Sequence, residues 1–498
     1  MATIVKSTSS SLKEYRLLPG LTTASNSKDK VSLHSRLCRS PSGYLMLKTP
    51  FISASMQAVS DKRMAIALAR LGGVSVIPVL SDVDSQIAIV KQVKQYKAGF
   101  QTDLITFSPS TPISEVQRSK LETGHSTYPV TDNGLFHGKL LGIITDKDFD
   151  AQADLKEMVS SRMKTDLVLA KDGASLSEAK AMMIKTGRGF LPIVSAEGTL
   201  QAVVFRKDLE HHIRFPNSNE DKLGRLVVGA AISTHPKHRR RIPKLVNESV
   251  DFLLIDASDG YSEFQKETII YAKSLSDTPV IAGNVVTAEA FEYLVAAGAD
   301  AVKVGMGIGS GCITQEEKAT GRGQATALME IVSARDKLVE NGHDYIPIIA
   351  DGGLSSPAEI CVALALGADT LMMGNYFAQC AESPGAVQYR NGQAYKMYWM
   401  EGSVRARNLG RYFLGNDEDS QEGYFAEGVS GLVPLRGSIF DIVPESCSKL
   451  KASLSTAGCS SILELHRNAR LEHQSAIALG DSAVHGLIKD NENGLAIS

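Results

Sequence analysis

The sequence predicts an α/β fold, a closed (β/α)8 TIM barrel with a second domain inserted into it. The first observation is a set of eight short apolar runs rich in β-branched residues, most of them separated by amphipathic segments with helical spacing. The second is that these runs end in Gly, Ser, Asp or Asn. The third is a long gap between the second and third runs, which contains an internal repeat. In chain order, the runs are residues 51–56, 73–77, 227–232, 252–256, 279–284, 301–306, 347–353 and 370–374.

The polar ends of these runs predict where the chemistry lies. Alternating buried strands and helices form parallel βα units, and a barrel of such units carries its functional groups on the loops at the carboxyl ends of the strands. Asp256, Asn284, Gly305 and Asp351 all fall at such ends. A doubly wound open sheet is the alternative. Because no GxGxxG motif opens a helix after the first strand, the sequence favours the barrel.

The composition is that of an ordinary soluble protein with more than one folding unit. The chain has 498 residues, of which 43% are hydrophobic and 22% charged, and a formal net charge of -2. This balance argues against a protein that binds nucleic acid through bulk charge. No apolar stretch is long enough to span a bilayer and no signal peptide is evident, so we expect a cytoplasmic protein without membrane contact. The six cysteines show no CxxC spacing and predict neither a zinc site nor a disulfide framework.

The most informative segment is residues 304–328, VGMGIGSGCITQEEKATGRGQATAL. Its glycines allow positive φ angles and let backbone N–H groups approach an anion closely. Cys312 lies at the edge of this glycine-rich loop. A thiol presented in this way is a candidate nucleophile, because the thiolate is the attacking species and nearby donors or cations favour it. The alternative for an isolated cysteine is a small buried apolar side chain.

This loop closely resembles the catalytic loop of the IMP dehydrogenase family. Three further stretches, GRGQATA, ADGG and EGSVRARNLGRYF, follow in the family's order, and the likeness extends over nearly the whole chain. The resemblance implies NAD-dependent oxidation of IMP to XMP in guanine nucleotide synthesis, with IMP and NAD as the partners. GMP reductase, which uses NADPH to deaminate GMP, is the nearest alternative. A non-catalytic nucleotide sensor is a more distant one.

The resemblance also implies catalytic roles. Cys312 would add to carbon 2 of the hypoxanthine ring, the adduct would give up a hydride to NAD, and the resulting thioimidate would be hydrolysed. Arg411 and Tyr412 would help to activate water from a mobile flap at about residues 400–430, with Thr314 and Glu427 as partners in proton transfer. GMP reductases typically lack this Arg–Tyr pair, so its presence favours the dehydrogenase.

Two sets of binding residues follow from the same resemblance. The nucleotide would be bound by Met56, Ser310, Asp351, Gly352, Gly353, Gly374, Asn375, Tyr398, Glu401, Gly402 and Glu427. NAD would be bound by Asp256, Ala257, Ser258, Asn284, Gly305, Met306 and Gly307. Asp351 would accept hydrogen bonds from both ribose hydroxyls. Phe264 is a candidate neighbour of the adenine ring, with a position in the core as the alternative.

The long gap predicts an inserted domain at residues 98–221, between barrel segments 1–97 and 222–498. Within it, TYPVTDNG…LLGIITDKDF recurs as FLPIVSAEG…LQAVVFRKDL. This repeat resembles a tandem pair of CBS domains, which often bind purine nucleotides and would here be regulatory. Asp148 and Asp208 are the positions that would hold a ribose. A purely structural pair without a ligand is the alternative.

A monovalent cation and an oligomer complete what the resemblance implies. Potassium would be held by the carbonyls of Gly307, Gly309 and Cys312, together with a glutamate-containing turn of a neighbouring subunit. The tail of this chain reads ALGDSAVHG at residues 478–486, without that glutamate, so the set of oxygen ligands would be incomplete. The family resemblance implies a homotetramer or an octamer.

Overall fold

A computed structural model describes the chain in segments that cover both the barrel and the insertion. The described residues are 3–5, 8–96, 100–102, 104–123, 126–149, 155–206, 215–410 and 425–482. The chain divides into two compact units, and the first is discontinuous in sequence because the second interrupts it. The first unit is Met1–Lys94 with Asn217–Ser498, and the second is Gln95–Pro216.

The first unit contains a closed barrel of eight parallel strands, so the predicted fold class is confirmed. Each strand pairs with its neighbours in chain order, and the last strand pairs with the first. Seven of the strands are shorter than the predicted runs, and the fifth is shifted by one residue so that it ends at Val285. They are β1 (Phe51–Ser53), β2 (Val74–Ile77), β3 (Gly229–Ile232), β4 (Phe252–Ile255), β5 (Val280–Val285), β6 (Ala301–Val304), β7 (Ile348–Asp351) and β8 (Thr370–Met373).

Eight helices return the chain between the barrel strands. They are α1 (Lys62–Arg70), α2 (Val83–Gln95), α3 (Arg241–Asn247), α4 (Glu263–Leu275), α5 (Ala288–Ala296), α6 (Gln324–Glu340), α7 (Pro357–Ala365) and α8 (Ile439–Thr456). Four of them begin in the same way. The side-chain oxygens of Asp61, Ser262, Thr287 and Ser356 each accept a hydrogen bond from the backbone N–H three residues ahead, which satisfies a donor that the first turn leaves free.

The barrel interior is apolar and is closed at the amino end of the strands. Buried side chains such as Ile52, Phe252 and Ile349 fill it. An antiparallel hairpin, Ser35–Ser40 with Gly43–Leu47, contributes further side chains to the same cluster. The hairpin is bonded to residues just before β6 and β8, for example through Arg39 N to Asp300 O at 2.9 Å. The opposite, carboxyl end of the barrel is therefore where a cleft can form.

Shorter elements complete the first unit. Strand Tyr15–Leu17 pairs with Leu471–His473, and Val387–Arg390, Gln393–Trp399 and Ser430–Pro434 form a three-stranded antiparallel sheet after β8. The remaining short helices are Leu12–Glu14, Lys28–Lys30, Pro236–His238, Thr314–Lys318, Asn375–Ala378, Val404–Asn408, Ile462–Asn468 and Ala476–Asp481. Among the described helices, none combines the length and the apolar character needed to cross a bilayer.

The second unit consists of two similar halves, each built on an antiparallel hairpin. Thr127–Thr131 pairs with Leu140–Thr145, and Phe190–Val194 pairs with Leu200–Phe205. In both hairpins the third residue of the first strand is proline and the register shifts before the fifth residue, so the sequence repeat is also a structural repeat. The other elements of the unit are strands Phe100–Gln101 and Ala170–Lys171 and helices Ile113–Thr123, Val159–Arg162 and Leu176–Thr186.

The residues that follow the second unit are attached to the barrel. Asn219 N donates to Ala69 O at 2.8 Å, and Asp221 forms an ion pair with Lys94 at 3.0 Å. These contacts explain why the compact unit ends at Pro216, whereas the sequence places the end of the insertion at residue 221. The segment after Pro216 belongs physically to the barrel.

Candidate active site

A cleft of about 560 Å³ lies at the carboxyl ends of the barrel strands. Most of the residues proposed from the sequence line it: Met56, Ser258, Asn284, Gly305, Met306, Gly307, Gly309, Ser310, Cys312, Thr314, Asp351, Gly352, Gly353, Gly374, Asn375 and Tyr398. They come from the ends of β1, β4, β5, β6, β7 and β8 and from the sheet that follows β8. The barrel thus brings together residues that are more than 300 positions apart in the chain.

Several proposed residues do not line this cleft. Asp256 and Ala257 follow β4, where Asp256 N donates to Ile232 O and Ala257 O accepts from Asn284 N. The carboxylate of Glu401 is outside the lining and accepts a hydrogen bond from Gln57 N at 2.7 Å. Gly402 and Glu427 also lie outside the lining, joined to each other by a backbone hydrogen bond of 3.0 Å. Arg411, Tyr412 and Asp208 fall outside the described residues.

The Cys312 thiol is half-buried and is joined to a carboxylate through one hydroxyl. Its Sγ lies 3.1 Å from Thr314 Oγ1, and Thr314 Oγ1 donates to Glu427 Oε2, also at 3.1 Å. A threonine hydroxyl has a single proton, so while Thr314 donates to Glu427 it can only accept from the thiol. Glu427 Oε1 forms an ion pair with Lys318 Nζ at 2.7 Å. The arrangement is a directed path for a proton from Cys312 to Glu427.

The backbone holds the two ends of this path together. Ile313 N donates to Glu427 O and Val429 N donates to Gly311 O, both at 3.0 Å. Cys312 and Gly428 form an isolated antiparallel bridge between the same segments. The loop that presents the thiol is therefore paired with the segment that carries the carboxylate.

Asp351, at the end of β7, presents one bound and one available oxygen. Its Oδ2 accepts hydrogen bonds from Lys303 Nζ at 2.6 Å and from Asn284 Nδ2 at 2.9 Å. The Lys303 side chain is only 4% exposed and its ammonium also donates to Asn284 Oδ1. No described residue donates to Oδ1 of Asp351, whose side chain is 22% exposed in the cleft. This free acceptor can bind a hydroxyl of a ligand.

Two glycines of the loop are required by close approach of other groups. Gly305 has a φ of 140°, and a Cβ at this position would lie 2.0 Å from the carbonyl oxygen of Asp351. Gly307 has a φ of 74°, and a Cβ there would lie 2.4 Å from Cγ of Gln315. A side chain at position 305 would push the loop away from β7, and one at position 307 would displace the Gln315 side chain and strain the backbone.

Tyr398 and Met56 narrow the cleft beside Gly374. A Cβ on Gly374 would lie 3.0 Å from both the Tyr398 hydroxyl and the Met56 Sδ. Burial raises the pKa of Tyr398, while a hydrogen bond with Ser310 acts in the opposite direction. Tyr398 is therefore a neutral phenol at physiological pH and can donate a hydrogen bond to an anion.

Similarity to known proteins agrees with this site. A family model for the IMP dehydrogenase / GMP reductase domain matches residues 10–485. The chain belongs to the IMP dehydrogenase / GMP reductase family. The inosine-5'-monophosphate dehydrogenase of Tritrichomonas foetus is 40% identical over 489 residues, which cover 96% of each chain. That of Schizosaccharomyces pombe is 37% identical, with 92% of this chain and 88% of the relative covered.

Solved structures in the IMP dehydrogenase / GMP reductase family share the fold over the whole length. A cysteine-to-alanine variant of GMP reductase from Trypanosoma brucei, in complex with guanosine 5'-monophosphate, matches with a TM-score of 0.80 at 29% identity. The match covers 97% of this chain and 98% of the reductase. Both activities of the family are thus represented among proteins that resemble this chain from end to end.

Cys312 differs from the other cysteines of this family member. Burial raises the pKa of Cys361 to about 11 and, despite partly opposing charges nearby, the pKa values of Cys380 and Cys447 to about 12. Burial also raises the pKa of Cys38. Cys312 alone among the six lines the cleft and contacts a hydroxyl there. Among the six cysteines, Cys312 is therefore the structural candidate for a nucleophile.

Two features of the site are not predicted from the sequence. Lys303 belongs to a predicted apolar run, but a lysine within the buried strand AVKV indicates a charge that must be paired. Ser11, Leu12 and Lys13 also line the cleft. Nothing local in the sequence indicates that role, because it depends on contacts with residues more than 300 positions away.

Proposed function

We propose that the protein is an NAD-dependent IMP dehydrogenase. IMP, NAD⁺ and water would be converted to XMP, NADH and a proton, through a covalent adduct on Cys312. The observation that carries the proposal is a thiol presented in the cleft and joined through Thr314 to a carboxylate. Near full-length similarity to inosine-5'-monophosphate dehydrogenases at 32–40% identity favours this activity over GMP reduction.

In the first half-reaction, Cys312 would act as the nucleophile. Its proton would pass to Glu427 through Thr314 as the sulfur bonds to carbon 2 of the base. NAD, when bound, supplies the acceptor for the hydride that leaves carbon 2. The chain's own contribution is to orient the nucleotide, with Oδ1 of Asp351 accepting from the ribose and with Tyr398 and the backbone of Gly353 and Gly374 near the phosphate.

We propose that the nicotinamide cofactor binds in the same cleft as the nucleotide. Ser258, Asn284 and the turn at 305–307 contribute to its lining, and its volume of about 560 Å³ lies within the ~300–1,000 Å³ typical of ligand pockets. Phe264 is 65% exposed, so its side chain is available to stack on an aromatic ring and is not in the core. These residues would hold the nicotinamide cofactor.

In the second half-reaction, water would attack the thioimidate on Cys312 and release XMP. Arg411 and Tyr412 remain our proposal for activating that water. An arginine is normally protonated, so it would need a partner that takes up the proton. We propose Thr314 and Glu427 as that partner, and the support is their hydrogen bond, which ends on a carboxylate.

The potassium site that the family implies stays a prediction. Gly307 O accepts from Gln315 Nε2 and Gly309 O accepts from Cys312 N, both at 3.0 Å. A carbonyl oxygen has two lone pairs, so each of these two keeps one acceptor position for the converging oxygen set that a hard cation requires.

For the inserted unit we propose a CBS pair that regulates the barrel through a purine nucleotide. Its support is the duplicated hairpin. The oxygen atoms of Asp148 are occupied: Oδ2 accepts from Thr145 N and Oγ1, and Oδ1 accepts from Lys164. A ribose at this position would have to displace those donors.

Rapid mixing of the Arg411→Ala variant with IMP and NAD tests the proposed activity. Loss of a positioned base commonly slows a step by ~10²–10⁴-fold, and here the loss should fall on hydrolysis alone. We expect a burst of NADH near one equivalent per site followed by a slow steady state. Arg390→Ala, an exposed arginine outside the cleft, is the matched control. Consumption of NADPH with GMP, without any NADH from IMP, would instead indicate a reductase.

A further inference from the structure

The amino-terminal segment forms part of the wall of the cleft and is held there by hydrogen bonds. Ser10 N donates to Thr326 Oγ1 at 2.7 Å, and Gly323 N donates to Ser9 Oγ at 2.7 Å. Ala325 N donates to Ser10 O at 3.1 Å. A Cβ on Gly323 would lie 2.4 Å from Ser10 O, so the two backbones are in direct contact. The segment is thus fixed to the start of α6.

This attachment places Lys13 at the rim of the cleft. Leu12, the preceding residue, is buried at 2% exposure, and its Cδ1 lies 3.8 Å from where a Cβ of Gly353 would be. Lys13 itself lines the cleft while its side chain remains 72% exposed. Its backbone is therefore fixed beside Gly353, and its ammonium is free to turn toward a ligand.

A phosphate bound near Gly353 would need a cation to balance its charge. Among the described residues that line it, Lys13 is the single cation and Asp351 the single anion. A nucleoside monophosphate carries ~1.5–2 negative charges on its phosphate at pH 7. The other groups proposed near that phosphate are neutral, since Gly353 and Gly374 supply backbone dipoles and Tyr398 a phenol.

Lys13 forms only a weak ion pair with its partner in the structure, Glu359. Lys13 Nζ lies 3.8 Å from Glu359 Oε1, and an ion pair of this length with an exposed lysine contributes little stability. Glu359 has better partners, because its Oε2 accepts from Ser355 N, Ser355 Oγ and Ser356 N at 2.6–2.8 Å. Glu359 thus remains bound at the start of α7 when Lys13 turns away.

We propose that Lys13 binds the 5'-phosphate of the nucleotide substrate and that the amino-terminal segment is thereby part of the substrate site. The inference rests on the proposed binding of a purine nucleoside monophosphate in this cleft. It deepens that function by adding a residue that selects the phosphorylated nucleotide. Lys13 would act in binding and not in the chemical steps, since the thiol path lies on the Cys312–Glu427 side of the cleft.

The test compares Lys13→Met and Lys13→Arg with the wild-type chain, using Lys30→Met as a control that removes an equal charge away from the cleft. Loss of an exposed charge contact should raise both KM and Kd for IMP by about two- to fivefold, with kcat unchanged. The Lys13→Arg variant should stay near wild type. Added salt should weaken IMP binding to the wild type more than to Lys13→Met.

Direct calorimetric binding of IMP and of GMP separates the two proposals. If Lys13→Met weakens both nucleotides but IMP is not oxidised, the proposed activity is wrong and the role of Lys13 stands. If IMP is oxidised normally and Kd is unchanged in Lys13→Met, the role of Lys13 is wrong. An equal effect of Lys30→Met, or a fall in kcat at constant KM, would also overturn it. Thermal unfolding of each variant shows whether it is folded.

Discussion

Two aspartates at the carboxyl ends of buried strands differ in the number of free acceptor oxygens. Asp351 lies in the cleft of the barrel, and Asp148 follows the first hairpin of the inserted unit. Asp351 uses only Oδ2, for Lys303 and Asn284, and its Oδ1 accepts from no described residue. Asp148 uses both oxygens, for Thr145 and Lys164, and its side chain is 5% exposed against 22% for Asp351. The same sequence signal therefore marks an available acceptor in one region and a satisfied one in the other.

The space around Asp351 is also larger than the space near Asp148. The cleft at Asp351 has a volume of about 560 Å³, whereas a cavity near Asp148, lined by Lys164, Asp166 and Arg188, has about 10 Å³. A cavity of that size holds at most about one water molecule. Among the described residues, the space beside Asp351 is therefore far larger than the one beside Lys164, the partner of Asp148. Sequence motifs alone do not distinguish the two cases, because both depend on which neighbours reach the carboxylate.

The largest expected effect on the cleft comes from Cys312→Ala. Removal of the nucleophile should lower kcat by at least about 10³-fold, while IMP binding persists because the Asp351 and phosphate contacts remain. Isothermal titration measures the binding, and NADH formation measures turnover. Cys447→Ala, on α8 and outside the cleft, is the matched control. An active Cys312→Ala enzyme, or a nucleotide adduct found by mass spectrometry on another cysteine, would contradict the assignment.

Lys303→Met should weaken the binding of IMP at the Asp351 carboxylate. The ammonium is buried and contacts both Asp351 and Asn284, so its loss leaves the carboxylate without its cation and without a fixed orientation. Because a hydrogen bond to a charged group contributes about 1.5–3 kcal/mol, we expect KM for IMP to rise by roughly 10- to 100-fold. Steady-state kinetics measure this change.

Lys303→Arg, which keeps a cation, is the control for that substitution, and thermal unfolding shows whether each variant retains its fold. A folded Lys303→Met enzyme with an unchanged KM would mean that Asp351 does not bind the ribose. In that case the comparison between the two aspartates would concern packing alone.

The fold was predictable from the sequence to a greater extent than the site. Seven of the eight barrel strands lie within the predicted runs and the fifth is displaced by one residue, because short apolar segments with polar ends have few other ways to be buried. Several predicted runs extend past the carboxyl end of the strand, as at Met56 and Gly353, because the loop that follows a strand can be as apolar as the strand itself. Cys312 and most of its proposed neighbours do meet in one cleft.

What the sequence could not supply were contacts between distant segments. Lys13 reaches the rim only because Ser9 and Ser10 bond to residues 323–326, and no local pattern encodes that docking. Glu401 accepts a hydrogen bond from Gln57 N, and its contact with the ligand stays a prediction. Its position depends on how the sheet after β8 packs on the barrel. The roles of Arg411 and Tyr412 stay predictions.

The smallest expected effect on catalysis is that of Asp148→Asn, the counterpart in the inserted unit. Burial raises the pKa of Asp148, but the hydrogen bonds from Lys164 and Thr145 outweigh it and the net pKa lies below its usual value. IMP turnover should stay within about twofold, since the carboxylate bonds only within the hairpin region. The change should instead destabilise the unit locally by about 1–3 kcal/mol, the cost of losing a charged hydrogen-bond acceptor.

The pH dependence of that local effect follows from the lowered pKa. A carboxylate whose pKa falls on folding contributes its full stability above its unfolded pKa of about 3.9, and loses it only as the pH falls through the lower folded value. Hydrogen exchange of peptides covering 127–149 should therefore be faster in Asp148→Asn than in wild type by the same factor at pH 7 and at pH 5. Asp132→Asn, a more exposed aspartate of the same hairpin, is the control. A difference that already shrinks between pH 7 and pH 5 would show that the pKa of Asp148 is not lowered on folding and that its partners do not stabilise the carboxylate.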